Sequence, residues 1–228
     1  KRGIEIKTSR EIKLIKKSSQ IVSKVLSEII DLIQPGMSTK DLDVFAEKSW
    51  ASMMKILEEA AAVTQYSRPG FFADMDILEI GNGGLTVVEE RTEMTLWCAL
   101  KSPLLLGNDL SNMTQTTLDI VGNSRLLAIN QDPLGKAALR VSNTTTTQVW
   151  AGPLSNDQAV LVLLNTGNDT ANVGSSWAML SAAKPQCNSL IATDLWDGST
   201  KVYYTSGAAP TALLEPHEAK ALRLACHK

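Results

Sequence analysis

Apolar residues recur at helical period over residues 8 to 33, through Ile12, Ile15, Val22, Leu26, Ile29, Ile30 and Ile33. Thr8-Ser9-Arg10-Glu11 precedes them with the spacing of a capping box, and Pro35-Gly36 stops the run. Ser38-Thr39-Lys40-Asp41 opens a second helix whose apolar face, Leu42, Phe45 and Ala46, continues as Trp50, Met53, Met54, Leu57 and Ala61, ending before Pro69-Gly70. From there the pattern changes. Phe71-Phe72-Ala73-Asp74 reads as a short buried strand, Gly81 to Gly84 as a turn, and Thr86-Val87-Val88-Glu89 as the capped start of a helix running through Met94, Trp97 and Leu100. Pro103 to Gly107 reads as a second buried strand, followed by helical stretches at 116–121 and 124–130 and a stop at Asp132-Pro133-Leu134-Gly135. Strand, helix, strand, helix predicts parallel pairing. Beyond Gly135 the helical period gives way to short β-rich runs at 148–151, 159–164, 190–195, 201–204, 211–214 and 219–224, separated by Gly, Asn, Asp and Ser turns. That pattern predicts an antiparallel sandwich. The expected fold class is thus α+β and multi-domain: an N-terminal helical pair, a short β/α segment and a C-terminal antiparallel β-sandwich.

Composition sharpens the division. Lys and Arg number 22 and Asp and Glu 24, a net charge of -2 that offers no basic field for nucleic acid or an anionic membrane. No apolar run reaches the roughly 20 residues of a spanning helix. Lys1-Arg2-Gly3-Ile4-Glu5 lacks the apolar core of a signal peptide. Residues 1 to 48 hold ten basic and seven acidic residues, leaving 22 − 10 = 12 basic and 24 − 7 = 17 acidic for the rest. All five Trp and all three Cys follow residue 48, as do three Asn-x-Ser/Thr acceptors at Asn112, Asn143 and Asn168. The second part therefore reads as secretory and the first does not.

Candidate chemistry is sparse. Asp74 and Asp76 are paired carboxylates ahead of a glycine-rich turn; as strand residues i and i+2 they would share one face, suited to sugar hydroxyls or acid/base work. The alternative, favoured by pattern alone, is that they cap the turn. His217 and His227, the only histidines, lack metal-ligand spacing, so no metal and no cofactor is expected. Cys187 and Cys226 are candidates for a disulfide, and Cys98, beside Trp97, reads as a buried small hydrophobe.

Ordered motifs then point to a family. Ser49-Trp50, Met54 to Leu57, Arg68-Pro69-Gly70, Phe71 to Gly83, Leu96 to Gly107, Ala128 to Gly135, Val149-Trp150, Pro153-Leu154-Ser155, Asp194-Leu195-Trp196 and Pro216 to Ala219 resemble, in order, the C-terminal part of the glycoside hydrolase family 27 α-galactosidases. The resemblance implies a (β/α) barrel remnant of two strand–helix units over residues 49–136 and a sandwich over 137–228. It implies a galactose pocket to which Asp76 and Ile77 contribute, with Asp74 in doubt because Phe72, Ala73 and Met75 stand where the family's Trp-Asn-Asp-Pro-Asp-Met has Trp, Asn and Pro. The family's Asp nucleophile and Asp acid/base precede the Ser-Trp motif, so no catalytic residue is carried over, and inactivity is expected despite a galactoside or galactose as the implied partner. The runner-up is a non-catalytic fusion or a sugar-binding sandwich, for which Tyr203 and Tyr204 are the aromatic candidates. Residues 1–48, with Ile4 to Thr8, Pro35-Gly36-Met37-Ser38-Thr39 and Ala46-Glu47-Lys48, resemble the N-terminus of type I methionine aminopeptidases, which makes the chain an apparent chimera.

Overall fold

The computed structural model describes residues 49–183 and 185–227. The expected helical pair of residues 8–33 and 38–48, and with it the domain 1–48, lies outside the described residues. The described part opens with helix α1, Trp50–Ala61, which buries Met53, Leu57 and Ala60 at the spacing of one helical face. Thr86 caps α2, Val87–Ala99: its side chain accepts from the Glu89 N–H, and the Glu89 carboxylate accepts from the Thr86 N–H, so the capping box forms. Two short helices follow, α3 at Gln115–Val121 and α4 at Ser124–Asn130, capped by Thr114 and Asn123.

The β/α region departs from expectation in its strands. Phe71 to Asp74 is not a buried strand. Arg68 and Phe71 exchange two backbone hydrogen bonds across a tight turn in which Gly70 sits at φ 82°, and Phe71 and Phe72 stay exposed. Pro103 to Gly107 is likewise mostly exposed rather than buried. Parallel pairing appears at one bridge, where the Leu78 N–H donates to Leu105 O and the Gly107 N–H donates to Leu78 O. The Gly81 to Gly84 turn is present, with Gly81, Gly83 and Gly84 all at positive φ.

The C-terminal strands are β1 Leu139–Asn143, β2 Thr147–Leu154, β3 Gln158–Asn165, β4 Ala171–Gly174, β5 Ser189–Asp194, β6 Thr200–Tyr204, β7 Thr211–Leu214 and β8 Ala219–Cys226. Six form an antiparallel sheet in the order β1-β2-β3-β8-β5-β6, and β4 pairs with β7 in a second, two-stranded sheet. The sandwich is therefore present, built from every run expected of it plus β1 and β4. In β3, Ala159, Leu161 and Leu163 pack with Val173 and Leu214 of the small sheet, whereas Val160, Val162 and Leu164 pack with Met94, Trp97 and Leu57 of the helices. Period-two alternation thus serves two cores at once, and the strand is buried on both faces. A disulfide joins Cys187 to Cys226 with Cα atoms 5.9 Å apart, and Cys98 is free and buried.

Polar ties join the helices to the sandwich. Thr92 Oγ1 donates to the His217 carbonyl and accepts from the Ala219 N–H, while His217 stacks on Trp50 at 4.1 Å and meets Glu89 at 2.6 Å. Asn123 and Arg125 donate to Leu195 O, and Asp132 accepts from Ser155.

Candidate functional site

Asp74, Asp76 and Ile77 lie together in the loop between the Arg68–Phe71 turn and the Leu78 bridge, all three exposed. The loop is not a strand, so the side chains do not share a pleated face. Asp76 instead adopts φ 71°, a left-handed conformation uncommon for a non-glycine residue. Its N–H donates to Asp74 Oδ1 at 3.0 Å, and Asp76 Oδ1 accepts from the Ile77 N–H at 2.8 Å. Both carboxylates accept from local backbone N–H groups, the reading that the sequence pattern alone favours. Asp76 Oδ2 enters no protein hydrogen bond among those of the described residues and faces outward on an exposed side chain.

Behind the loop stands α2. Trp97 Nε1 donates to Asp76 O at 2.9 Å. Glu93 accepts from the Glu79 N–H through both oxygens at 3.1 and 3.2 Å, and Glu90 accepts from the Gly81 N–H at 2.8 Å. Ser102 Oγ accepts from the Met75 N–H at 3.0 Å. Pattern alone passes over Glu90 and Glu93, because charged helix residues suggest a solvated face, and reads Trp97 only as part of the helix; the signal available was their spacing, i, i+3 and i+7, on one side of the helix. Burial pushes the Glu93 carboxyl up to about 8; the Glu79 N–H opposes this, and the nearby Glu79 and Glu90 carboxylates add to it. Burial also pushes the Cys98 thiol up to about 12 and the Lys101 ammonium down to about 8, the latter opposed by Asp132.

The remaining expected residues are dispersed. Asn112 ends a 3-10 turn, Asn143 ends β1 and Asn168 lies in the loop after β3; all three are exposed. Asn168 Oδ1 lies 3.2 Å from His217 Nε2. Tyr204 is exposed, whereas Tyr203 packs against the sandwich core, so the two tyrosines do not form a joint platform.

Comparison with known proteins gives these positions a context. A family model described as alpha galactosidase A matches residues 30–132, and one for the alpha galactosidase C-terminal beta sandwich domain matches residues 144–224. Residues 30–132 and 144–224 are thus similar to two parts of the α-galactosidases. Alpha-galactosidase 2 of Arabidopsis thaliana is 36% identical over 182 residues, which cover 80% of this chain and 45% of the relative. The alpha-galactosidase of Cyamopsis tetragonoloba is 37% identical over 155 residues, covering 68% and 37%. Among solved structures, alpha-galactosidase I from Mortierella vinacea superposes with a TM-score of 0.71 at 34% identity over 76% of this chain and 44% of that one. The chain therefore spans less than half the length of these α-galactosidases. The first family model begins at residue 30, so it overlaps the segment 30–48 that resembles a methionine aminopeptidase.

Proposed function

We propose that this chain carries the C-terminal part of a galactoside-hydrolase architecture, in which Asp76 and Ile77 form part of a galactose pocket, and that the 228-residue chain by itself binds galactose weakly without turning over galactosides. The observation that carries this is the bonding of the two candidate carboxylates. Retaining chemistry requires two carboxyl groups about 5 Å apart on opposite sides of the glycosidic bond, one as nucleophile and one as acid. Asp74 spends an oxygen on the Asp76 N–H and so supports its neighbour rather than opposing it. Asp76 keeps an exposed carboxylate, suited to sugar hydroxyls. The similarity of residues 30–132 and 144–224 to α-galactosidases, and the relatives' names, support the substrate class.

On this reading residues 49–136 are a two-unit barrel remnant, the Leu78–Leu106 bridge being its parallel strand contact, and 137–228 form the sandwich domain. Residues 1–29, which precede the α-galactosidase match, are the part of different ancestry. The Cys187–Cys226 disulfide and the exposed Asn112, Asn143 and Asn168 support a secretory route for the second part, with those three asparagines as glycosylation sites. The test is hydrolysis of an aryl α-galactoside by homogeneous protein, together with a galactose titration. No turnover above a buffer blank is expected, and Asp76→Ala should abolish galactose binding. Turnover that follows the chain through purification and disappears in Asp76→Asn would overturn the proposal.

A further inference from the structure

Asp76 is a candidate sugar contact only if its backbone holds a conformation that an aspartate does not adopt by default. Left-handed φ in a non-glycine residue is unfavourable by roughly 1 kcal/mol or more and persists where surrounding contacts fix it. Here the contacts are specific. Both backbone groups of Asp76 are engaged, its N–H by Asp74 and its carbonyl by the indole of Trp97. Trp97 is 1% exposed, so the indole cannot swing away, and its N–H has no water to turn to. On one side of Asp76 the Met75 N–H is held by Ser102 Oγ; on the other, the Glu79 and Gly81 N–H groups are held by Glu93 and Glu90.

The three helix residues fall on one face of α2, and their partners run in the opposite chain direction: Glu90 to Gly81, Glu93 to Glu79, Trp97 to Asp76. The loop and the helix that follows it are thus laced together, side chain to backbone, along two turns of helix. Nothing in this lacing serves packing alone. Leucines would fill the same space, and burying carboxylates is unfavourable unless they satisfy buried donors.

We propose that Trp97, Glu93 and Glu90 are positioning residues for the Asp76 site: they fix the backbone from Asp76 to Gly81 so that the Asp76 carboxylate is presented to a sugar, and Trp97 carries the largest share. The inference rests on the galactose-pocket reading above for its ligand, and on the hydrogen bonds alone for its geometry. Trp97 touches no ligand and acts through the Asp76 carbonyl.

The experiment uses the full chain and Trp97→Phe, which keeps a buried aromatic ring and removes the N–H. Backbone amide resonances of Asp76 and Ile77 and galactose affinity are measured in parallel. Trp97→Phe should shift both resonances, leave those of β2 and β3 in place, and weaken galactose binding by about tenfold, the loss of one hydrogen bond's worth of preorganisation. Glu93→Gln, which can still accept from the Glu79 N–H, should retain the wild-type signals, whereas Glu93→Leu should shift them. Asp74→Ala, at an exposed position where folding is not at risk, should move the Asp76 resonance from the other side. Unchanged Asp76 and Ile77 signals in both Trp97→Phe and Asp74→Ala would overturn the positioning role. Absence of galactose binding in the wild-type chain would overturn the pocket reading instead, and the resonance shifts would still decide the geometry.

Discussion

Strands β2 and β3 and the two segments that flank α2, residues 68–81 and 103–110, all carry runs of apolar side chains, and they treat them differently. Leu161 and Leu163 are fully buried, one core lying on each side of their strand, whereas Phe71 is 51% exposed and Leu105 55%. The difference lies in the hydrogen-bond ladder. β3 pairs along most of its length with β2 and β8, which fixes which side chain faces which core. The two flanking segments share a single parallel bridge, and from Asp76 to Gly81 the backbone is held instead by side chains of α2. A ladder specifies burial for every residue it contains. Side-chain anchors specify only the positions near them: Met75, Leu78 and Ile80 are buried, whereas Phe71, Phe72, Ile77, Leu105 and Leu106 are exposed. The exposed Asp76 carboxylate is bonded locally through one oxygen, to the Ile77 N–H.

The largest effect should come from the laddered region. Leu161→Ala removes a fully buried side chain between two sheets and should destabilise the protein by about 3 kcal/mol in urea denaturation. A loss under about 1 kcal/mol would mean that the sandwich core is less tightly packed than its burial implies.

How much of this was legible in the residues follows the same divide. The six β-runs from Gln148 to Leu224 were legible as short apolar runs between turn residues; β5 alternates between its two faces, whereas β2 and β3 are continuous apolar runs buried on both faces. β1 and β4 escaped: Leu139–Asn143 and Ala171–Gly174 are short, partly polar and each pairs with one neighbour, so little alternation is imposed. The capping box at Thr86 was readable because it is local. Phe71 to Asp74 misled because two adjacent Phe look like a buried strand, and nothing in composition reveals that Gly70 turns the chain back at that point. The site was legible as residue types, in Asp74, Asp76 and Ile77, but not as geometry. Three buried glutamates, Glu89, Glu90 and Glu93, are counted by any pattern as solvated; the loop amides and helix cap they satisfy, with His217 beside Glu89, explain their burial.

Those glutamates supply the intermediate effect. Glu93 titrates near 8 in the folded chain against 4.5 for the ordinary group. Between those values the folded state holds a proton that the unfolded chain has released. Stability from this group is therefore complete below 4.5, falls as pH rises through the window, and levels off above about 8. The slope from one proton is at most about 1.4 kcal/mol per pH unit. Glu93→Gln should flatten the pH dependence of urea stability across that window while leaving stability at its acidic end nearly unchanged. A variant whose profile still runs parallel to that of the wild type would show that Glu93 is ionised throughout.

The smallest effect is expected where the apolar side chains lie outside the core; Phe71 has the Arg68 guanidinium over its ring at 5.1 Å, a contact at an exposed site. Leu105 and Phe71 lie outside both buried clusters, and replacing an exposed side chain removes little area from contact with other atoms. Phe71→Ser and Leu105→Ser should each change urea stability by no more than ~0.5 kcal/mol. Their visible consequence should be in solution behaviour, because Phe71, Phe72, Leu105, Leu106 and Leu110 are all exposed apolar groups in the same stretch of chain. Light scattering at rising protein concentration should report less association in the double variant than in the wild type. If Leu105→Ser were instead as damaging as Leu161→Ala, the side chain would have to be covered in the folded protein. The contrast between a laddered region and an anchored one would then fail at its most exposed residue.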